Sequence, residues 1–203
     1  MITRLLGTKI SQSAEKMPVI AVTGPRQSGK STLIQQLFPT HTYLNLEDIE
    51  LRKFALSDPK GFLQNPGKKT IIDEVQYAPE LLSYIQVITD REKIAGQFIL
   101  SGSQNLLLMH SIAQSLAGRV AIFNLLPFSL QEIQQTHFAM NTYEEYIFKG
   151  FYPRIYDLDL DPTAWLQDYL RTYVERDVRQ ILNIGDLATF RQFLEICAGR
   201  TGQ

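Results

Sequence analysis

The run Gly24-Pro25-Arg26-Gln27-Ser28-Gly29-Lys30-Ser31 constrains this chain more than any other feature. It fits the pattern G-x-x-x-x-G-K-[ST], and its surroundings fit as well. Val19-Ile20-Ala21-Val22-Thr23 before it is a short β-rich apolar run. From Ser31 onward, Leu33, Ile34 and Leu37 recur at helical spacing until Pro39 ends the pattern. A glycine-rich turn between a strand and a helix lets successive amide N–H groups surround phosphate oxygens, and the helix aims its positive end at the same anion. Lys30 is expected to reach the β- and γ-phosphates of a nucleoside triphosphate, and the Ser31 hydroxyl to ligate magnesium, with Thr32 completing the phosphate-binding run.

Further strand-like runs alternate with helical ones. Thr42–Leu46, Lys69–Ile72, Gln97–Leu100 and Arg119–Leu126 read as strands, while Leu81, Leu82, Ile85 and Ile88 share one helical face. Such alternation predicts an α/β fold with a mostly parallel sheet. Ligands of these sheets collect beyond the C-terminal strand ends. Gly24, Asp73 and Ser103 all follow strands, so three segments are expected to converge on one site. After Pro127 strand-like runs cease. Trp165, Leu166, Tyr169, Leu170, Tyr173, Val174, Val178 and Ile181 form an apolar stripe at helical spacing, and Leu187, Phe190, Phe193, Leu194 and Cys197 add to it. The expected division is a core over residues 1–126 and a helical, lid-like region over 127–203. The stripe and Cys197 are expected to pack in a core.

Ile71-Ile72-Asp73-Glu74 is the second chemical feature. An acid at the tip of a buried strand can hold the magnesium, and a second beside it can take a proton from the attacking water. Asp73 is assigned to the metal and Glu74 to the water. Ser103 is either a contact to the γ-phosphate or water, or a small polar residue in a turn; Gln104 is its weaker substitute. Arg119 is either a cation for transition-state charge, acting in cis or from a neighbouring subunit, or a surface arginine that starts a strand. Arg26 either points to solvent or holds Glu74 at rest. His41, His110 and His137 have no partner at ligand spacing and read as surface or packing residues. Arg171, Arg176 and Arg179 lie near Glu175 and Asp177, which suggests a salt-bridged face rather than a nucleic-acid patch.

The formal net charge of −1 gives no global attraction to nucleic acid or anionic lipid. No stretch approaches ~18 consecutive apolar residues, so no membrane span is expected. The single cysteine suits a reducing cytosol, and a cytoplasmic location is expected.

Thr23–Ser31, Ile71-Ile72-Asp73-Glu74-Val75-Gln76, Ile99–Ser103, Leu116-Ala117-Gly118-Arg119, Gly150-Phe151-Tyr152-Pro153 and Tyr173–Asp177 occur in this order. The set resembles the AAA-type P-loop ATPases of bacteria and archaea that carry a C-terminal domain of unknown function. The resemblance implies an AAA-like core with sheet order 5-1-4-3-2 followed by a helical region. It implies Lys30, Ser31, Asp73 and Glu74 as nucleotide and catalytic residues, Ser103 as sensor and Arg119 as a finger. Relatives of this kind continue through a winged-helix-like segment, so the chain is expected to stop short of it, and nucleic-acid contact is expected only through such a further part.

Hydrolysis of ATP with Mg2+ to drive a conformational change is the leading expectation, because Glu74 has no role in merely holding nucleotide. A nucleotide-dependent switch with little turnover is the alternative. A small-molecule kinase is the third, and no arginine cluster between the fourth and fifth strands supports it. Adenine is preferred over guanine because the chain lacks Asn-Lys-x-Asp, and the helix around Arg4 to Ile10 is a candidate wall of the base pocket. A homo-oligomer or a protein partner fits the same reading.

Overall fold

The computed structural model describes residues 2–64, 67–103, 112, 114–174 and 187–201. Strands β1 (Val19–Gly24), β2 (Thr42–Asn45), β3 (Thr70–Asp73), β4 (Phe98–Ser103) and β5 (Val120–Asn124) form one parallel sheet in the order β2-β3-β4-β1-β5. Read from the other edge, this is the expected order. The interior strand β1, paired on both sides, is buried at every position. That explains its uninterrupted apolar run, since helices cover both faces of a sheet of this kind.

The two faces are written in the strands with period two. Val19, Ala21, Ile72 and Leu100 face one core with Leu46, Phe62, Leu81, Leu82 and Ile85. Those partners come from α4 (Pro59–Gln64), α5 (Leu81–Glu92) and the strand β2 exit, and α3 (Ile49–Ser57) adds Ala55. Ile20, Val22, Ile71 and Ile99 face the other core with Ile10, Ala14, Leu33 and Ile34. Those belong to α1 (Leu6–Ala14) and α2 (Lys30–Leu37). Because every pairing is parallel, every strand's C-terminal end lies on the same edge of the sheet.

Short helices follow β5: α6 (Leu130–Gln134), α7 (Tyr143–Lys149), α8 (Pro153–Asp157) and α9 (Pro162–Tyr169). Ser129 and Thr142 start the first two with complete capping boxes to Glu132 and Glu145. Pro153 and Pro162 open the other two, where a missing N–H costs nothing. A third core lies here: Phe128, Ile133, Tyr146, Ile155 and Tyr156 pack together and take in Ile2 from the N-terminus.

One expectation is refined and one corrected. The stripe on α9 is half-buried, with no buried residue in Pro162–Tyr169, but its Trp165 and Leu166 do pack against the third core. Tyr152, Trp165 and Tyr169 lie with ring centroids 5.1, 4.8 and 5.2 Å apart. Cys197 is exposed on α10 (Leu187–Arg200), beside exposed Phe193 and Ile196, so helical spacing of apolar residues there does not mark a buried face among the described residues. Gln104, His110, Glu175, Arg176, Asp177, Val178, Arg179, Ile181 and the side chains of Tyr173 and Val174 lie outside the described residues.

Candidate nucleotide site

The loop after β1 adopts the strained path that its glycines allow. Gly24 has φ 149°, and a Cβ there would lie 2.2 Å from the Leu125 carbonyl oxygen, so no other residue fits. Gln27 and Gly29 both take left-handed φ values, 62° and 89°. These turns fold the loop into a concave strip of backbone, and α2 begins at Lys30 directly behind it. Ser28 is fully buried in the loop, and its Oγ has no hydrogen-bond partner among the described residues. Lys30 is 5% exposed, and its ammonium donates to the carbonyls of Gly24 (3.1 Å) and Pro25 (2.9 Å). Burial pulls the Lys30 pKa down, while Glu74 and Asp73 oppose that shift.

Asp73 ends β3, buried, with donors on both oxygens. Tyr43 Oη donates to Oδ2 at 2.6 Å, and the Glu74 backbone N–H donates to Oδ1 at 3.0 Å. Ser101 Oγ on β4 also donates to Oδ1. Glu74 follows with φ 57°, a conformation that costs an ordinary residue ~1–3 kcal/mol and tends to gather at functional sites. Its carboxylate accepts from Gln76 Nε2. Burial raises the Glu74 pKa; the Gln76 hydrogen bond, Lys30 and Arg26 pull it back.

A cavity of about 400 Å3 joins these parts: Gln27, Gly29, Lys30, Ser31, Thr32 and Glu74 line it together with Glu47. Arg26 lines it too, and its charge reaches Glu74. Pro153, Arg154 and Asp157 of α8 close the opposite wall. Tyr169 ties α9 to the loop by donating to the Arg26 carbonyl at 3.2 Å. Sequence reading missed Glu47, Arg154 and Asp157. The motif Gly150–Pro153 gave the position of α8 but no sign that it folds over the loop.

Ser103 lies opposite Gly24 in the β1–β4 register, at the same end of the sheet. Arg119 does not. It precedes β5, its carbonyl accepts from Val19 at the start of β1, and its guanidinium pairs with Asp90 at 2.5 and 2.9 Å. Gly24 lies five residues further along β1, about 17 Å at ~3.3 Å per residue. Action of Arg119 in cis is therefore corrected: the strand's own length separates it from this chain's loop. Arg4 is tied to protein partners: its side chain is 8% exposed and donates to Glu132 Oε1 (3.2 Å) and to the carbonyls of Ser28 (2.8 Å), Leu126 (2.5 Å) and Pro127 (3.2 Å). It also lines a groove of about 360 Å3 that runs between α1 and α2, past Gly7, Thr8, Leu33 and Gln36.

The residues fit a magnesium–triphosphate group. The backbone strip of Gln27–Gly29 has no Cβ at Gly29 to fill it, and the nearest atoms to one would be 3.6 Å away. The candidate ligands, Ser31 and Asp73, are oxygen donors, which suits a hard cation. Among the described residues no group of three or more His, Cys, Asp or Glu can hold a metal, so magnesium here would need phosphate oxygens as well.

A five-stranded parallel sheet in this order, carrying a phosphate-type loop after β1, defines an AAA-type P-loop ATPase fold. The chain belongs to the AAA domain family, whose model matches residues 16–134, and a domain of unknown function (DUF8612) matches residues 140–203. It is 27% identical over 200 residues to the uncharacterized proteins Rv2008c of Mycobacterium tuberculosis and Mb2031c of Mycobacterium bovis, over 96% of this chain and 44% of each relative. It thus spans less than half the length of these relatives. Among solved structures, the Walker-type ATPase paby2304 of Pyrococcus abyssi matches with a TM-score of 0.53 and 17% identity, over 98% of this chain and 77% of that one. AMPPCP-bound DnaA from Aquifex aeolicus matches with a TM-score of 0.50 and 10% identity, over 89% and 66%. These likenesses speak to the fold. No helix among the described residues is long and apolar enough to cross a membrane.

Proposed function

We propose that this chain binds ATP with Mg2+ and hydrolyses it to drive a conformational change. One observation carries the reading: the Lys30 loop and the carboxylate of Glu74 share one cavity, with Asp73 directly beneath. The amides of Gln27–Lys30 receive the phosphates. Lys30 leaves the carbonyls of Gly24 and Pro25 for phosphate oxygens, a better partner for a buried ammonium. Ser31 and Asp73 hold the cation, which offsets phosphate charge when bound. Glu74 accepts a proton from the attacking water, and its raised pKa gives it the basicity that a weakly buried carboxylate lacks. Ser103 faces the γ-phosphate from β4. Arg154 supplies a cation from α8, coupling nucleotide state to the helical region.

A nucleotide-dependent switch with little turnover is the second reading. It is favoured by the position of Arg119, which reaches a γ-phosphate only from another subunit. Steady-state phosphate release separates the two. Glu74→Gln should cut turnover by ~10²–10⁴ while binding persists, and Lys30→Ala should abolish Mg2+-dependent triphosphate binding. Turnover unchanged in Glu74→Gln removes the base assignment; binding unchanged in Lys30→Ala removes the whole reading.

A further inference from the structure

Tyr43 has no part in the motifs above, yet it touches one of their residues, Asp73. It lies on β2 opposite Ile71, two residues before the Asn45–Asp73 pair. Ile71 faces the α1–α2 core, so by alternation Asp73 and Tyr43 face that side too. Ser101, two residues after Ile99, shares it. Three parallel strands thus place Tyr43, Asp73 and Ser101 on one face, beneath the start of α2, where Ser31 sits.

A carboxylate has only acceptors, so the 2.6 Å contact requires Tyr43 Oη to donate to Asp73 Oδ2. The Glu74 backbone N–H and Ser101 Oγ donate to the other oxygen, Oδ1. The two oxygens are thus held from different elements, and among the described residues the tyrosine hydroxyl is the group that fixes Oδ2. A carboxylate that receives a cation is oriented by the hydrogen-bond partners behind it.

We infer that Tyr43 is a positioning residue for the divalent cation, its hydroxyl orienting Asp73 and so setting the magnesium affinity of the nucleotide complex. This rests on the magnesium–nucleotide reading given above. Tyr43→Phe keeps the ring and removes only that hydrogen bond. Partners of metal ligands typically contribute 10–100-fold to metal affinity when removed, and a loss of about that size is expected here.

The test titrates Mg2+ into protein carrying a fluorescent, non-hydrolysable ATP analogue, and separately measures analogue affinity in EDTA. Tyr43→Phe should bind the analogue in EDTA within about twofold of wild type and melt at a similar temperature. Its Mg2+ midpoint should rise by about 10–100-fold, with Mn2+ showing the same shift by paramagnetic resonance. An unmoved Mg2+ midpoint overturns the inference. So does an equal loss of affinity in EDTA, which marks a structural role. A wild-type protein with no Mg2+-dependent component at all defeats the underlying site reading instead.

Discussion

Replacing Arg4 by alanine should destabilise the protein by about 3–5 kcal/mol, the usual cost of stripping one partner from a buried ion pair. Both side chains of the Arg4–Glu132 pair are nearly buried, at 8% and 5% exposure. The guanidinium also donates to three carbonyls and lies over the Phe128 ring at 4.9 Å. Removal leaves Glu132 charged and short of its cation, although Leu5 and Ser129 still donate their amides to it at 2.8 Å each. The exposed Lys53–Glu50 pair is the internal control, since pairs like it contribute ~0–1 kcal/mol. In a chain of this size each kcal/mol shifts Tm by ~2–4 °C, so the expected fall is about 6–20 °C. Urea titration of Arg4→Ala, Glu132→Gln and the double variant gives a thermodynamic cycle. The double variant should cost less than the sum, because each single change already breaks the pair. Arg4 also holds the Ser28 carbonyl of the phosphate loop, so Arg4→Ala should weaken triphosphate binding under conditions where it remains folded. A cost below ~1 kcal/mol, equal to that of Lys53→Ala, refutes the claim that this pair ties the N-terminus, the loop and the helical region together.

The other predictions concern turnover. Gln76→Ala removes a hydrogen bond that holds the Glu74 pKa down, so that pKa rises further. The base works ionised, so the acid limb of the pH–rate profile should move to higher pH while Mg2+-dependent binding stays unchanged; a limb that moves down or stays put contradicts the role given to Gln76. Arg154→Ala should lower kcat or weaken triphosphate binding even at high dilution, where subunits separate. Arg119→Ala should leave turnover unchanged there. If it lowers turnover only at concentrations that favour association, measured by light scattering, Arg119 acts on a neighbour; a loss independent of concentration contradicts the placement of Arg119 at the far end of the sheet.

The parts of the fold that local pattern dictates were legible in the sequence. β1, the glycine turn and α2 each leave a distinct local trace: an apolar run, residues that permit positive φ, and helical spacing closed by Pro39. The parallel sheet followed from alternation of strand and helix, while its strand order came from the family resemblance. α3 and α4 left no comparable trace. Asp48 caps α3, but Ala55 is its one buried residue, so periodicity is weak there. On α9 the helical stripe reaches the third core through half-buried Trp165 and Leu166, whereas on α10 the spacing was helical and burial failed to follow. A stripe on one helix says nothing about whether a partner covers it, and Cys197 is exposed for that reason.

The site divides in the same way. Lys30, Ser31, Asp73 and Glu74 lie within or beside local motifs, whereas Tyr43 and Arg154 enter through pairings across the sheet and across the cavity. Arg119 shows that some non-local placement can be read from local sequence. In a parallel sheet, residues that follow strands collect at one end, and residues that precede strands collect at the other. Gly24, Asp73 and Ser103 follow β1, β3 and β4 or end them; Arg119 precedes β5. Once the sheet is known to be parallel, that order alone separates Arg119 from the phosphates by a strand's length, whatever its side chain does. Any cation serving this chain's own γ-phosphate must therefore come from a strand exit, from a segment folded over that end as Arg154 is, or from another subunit.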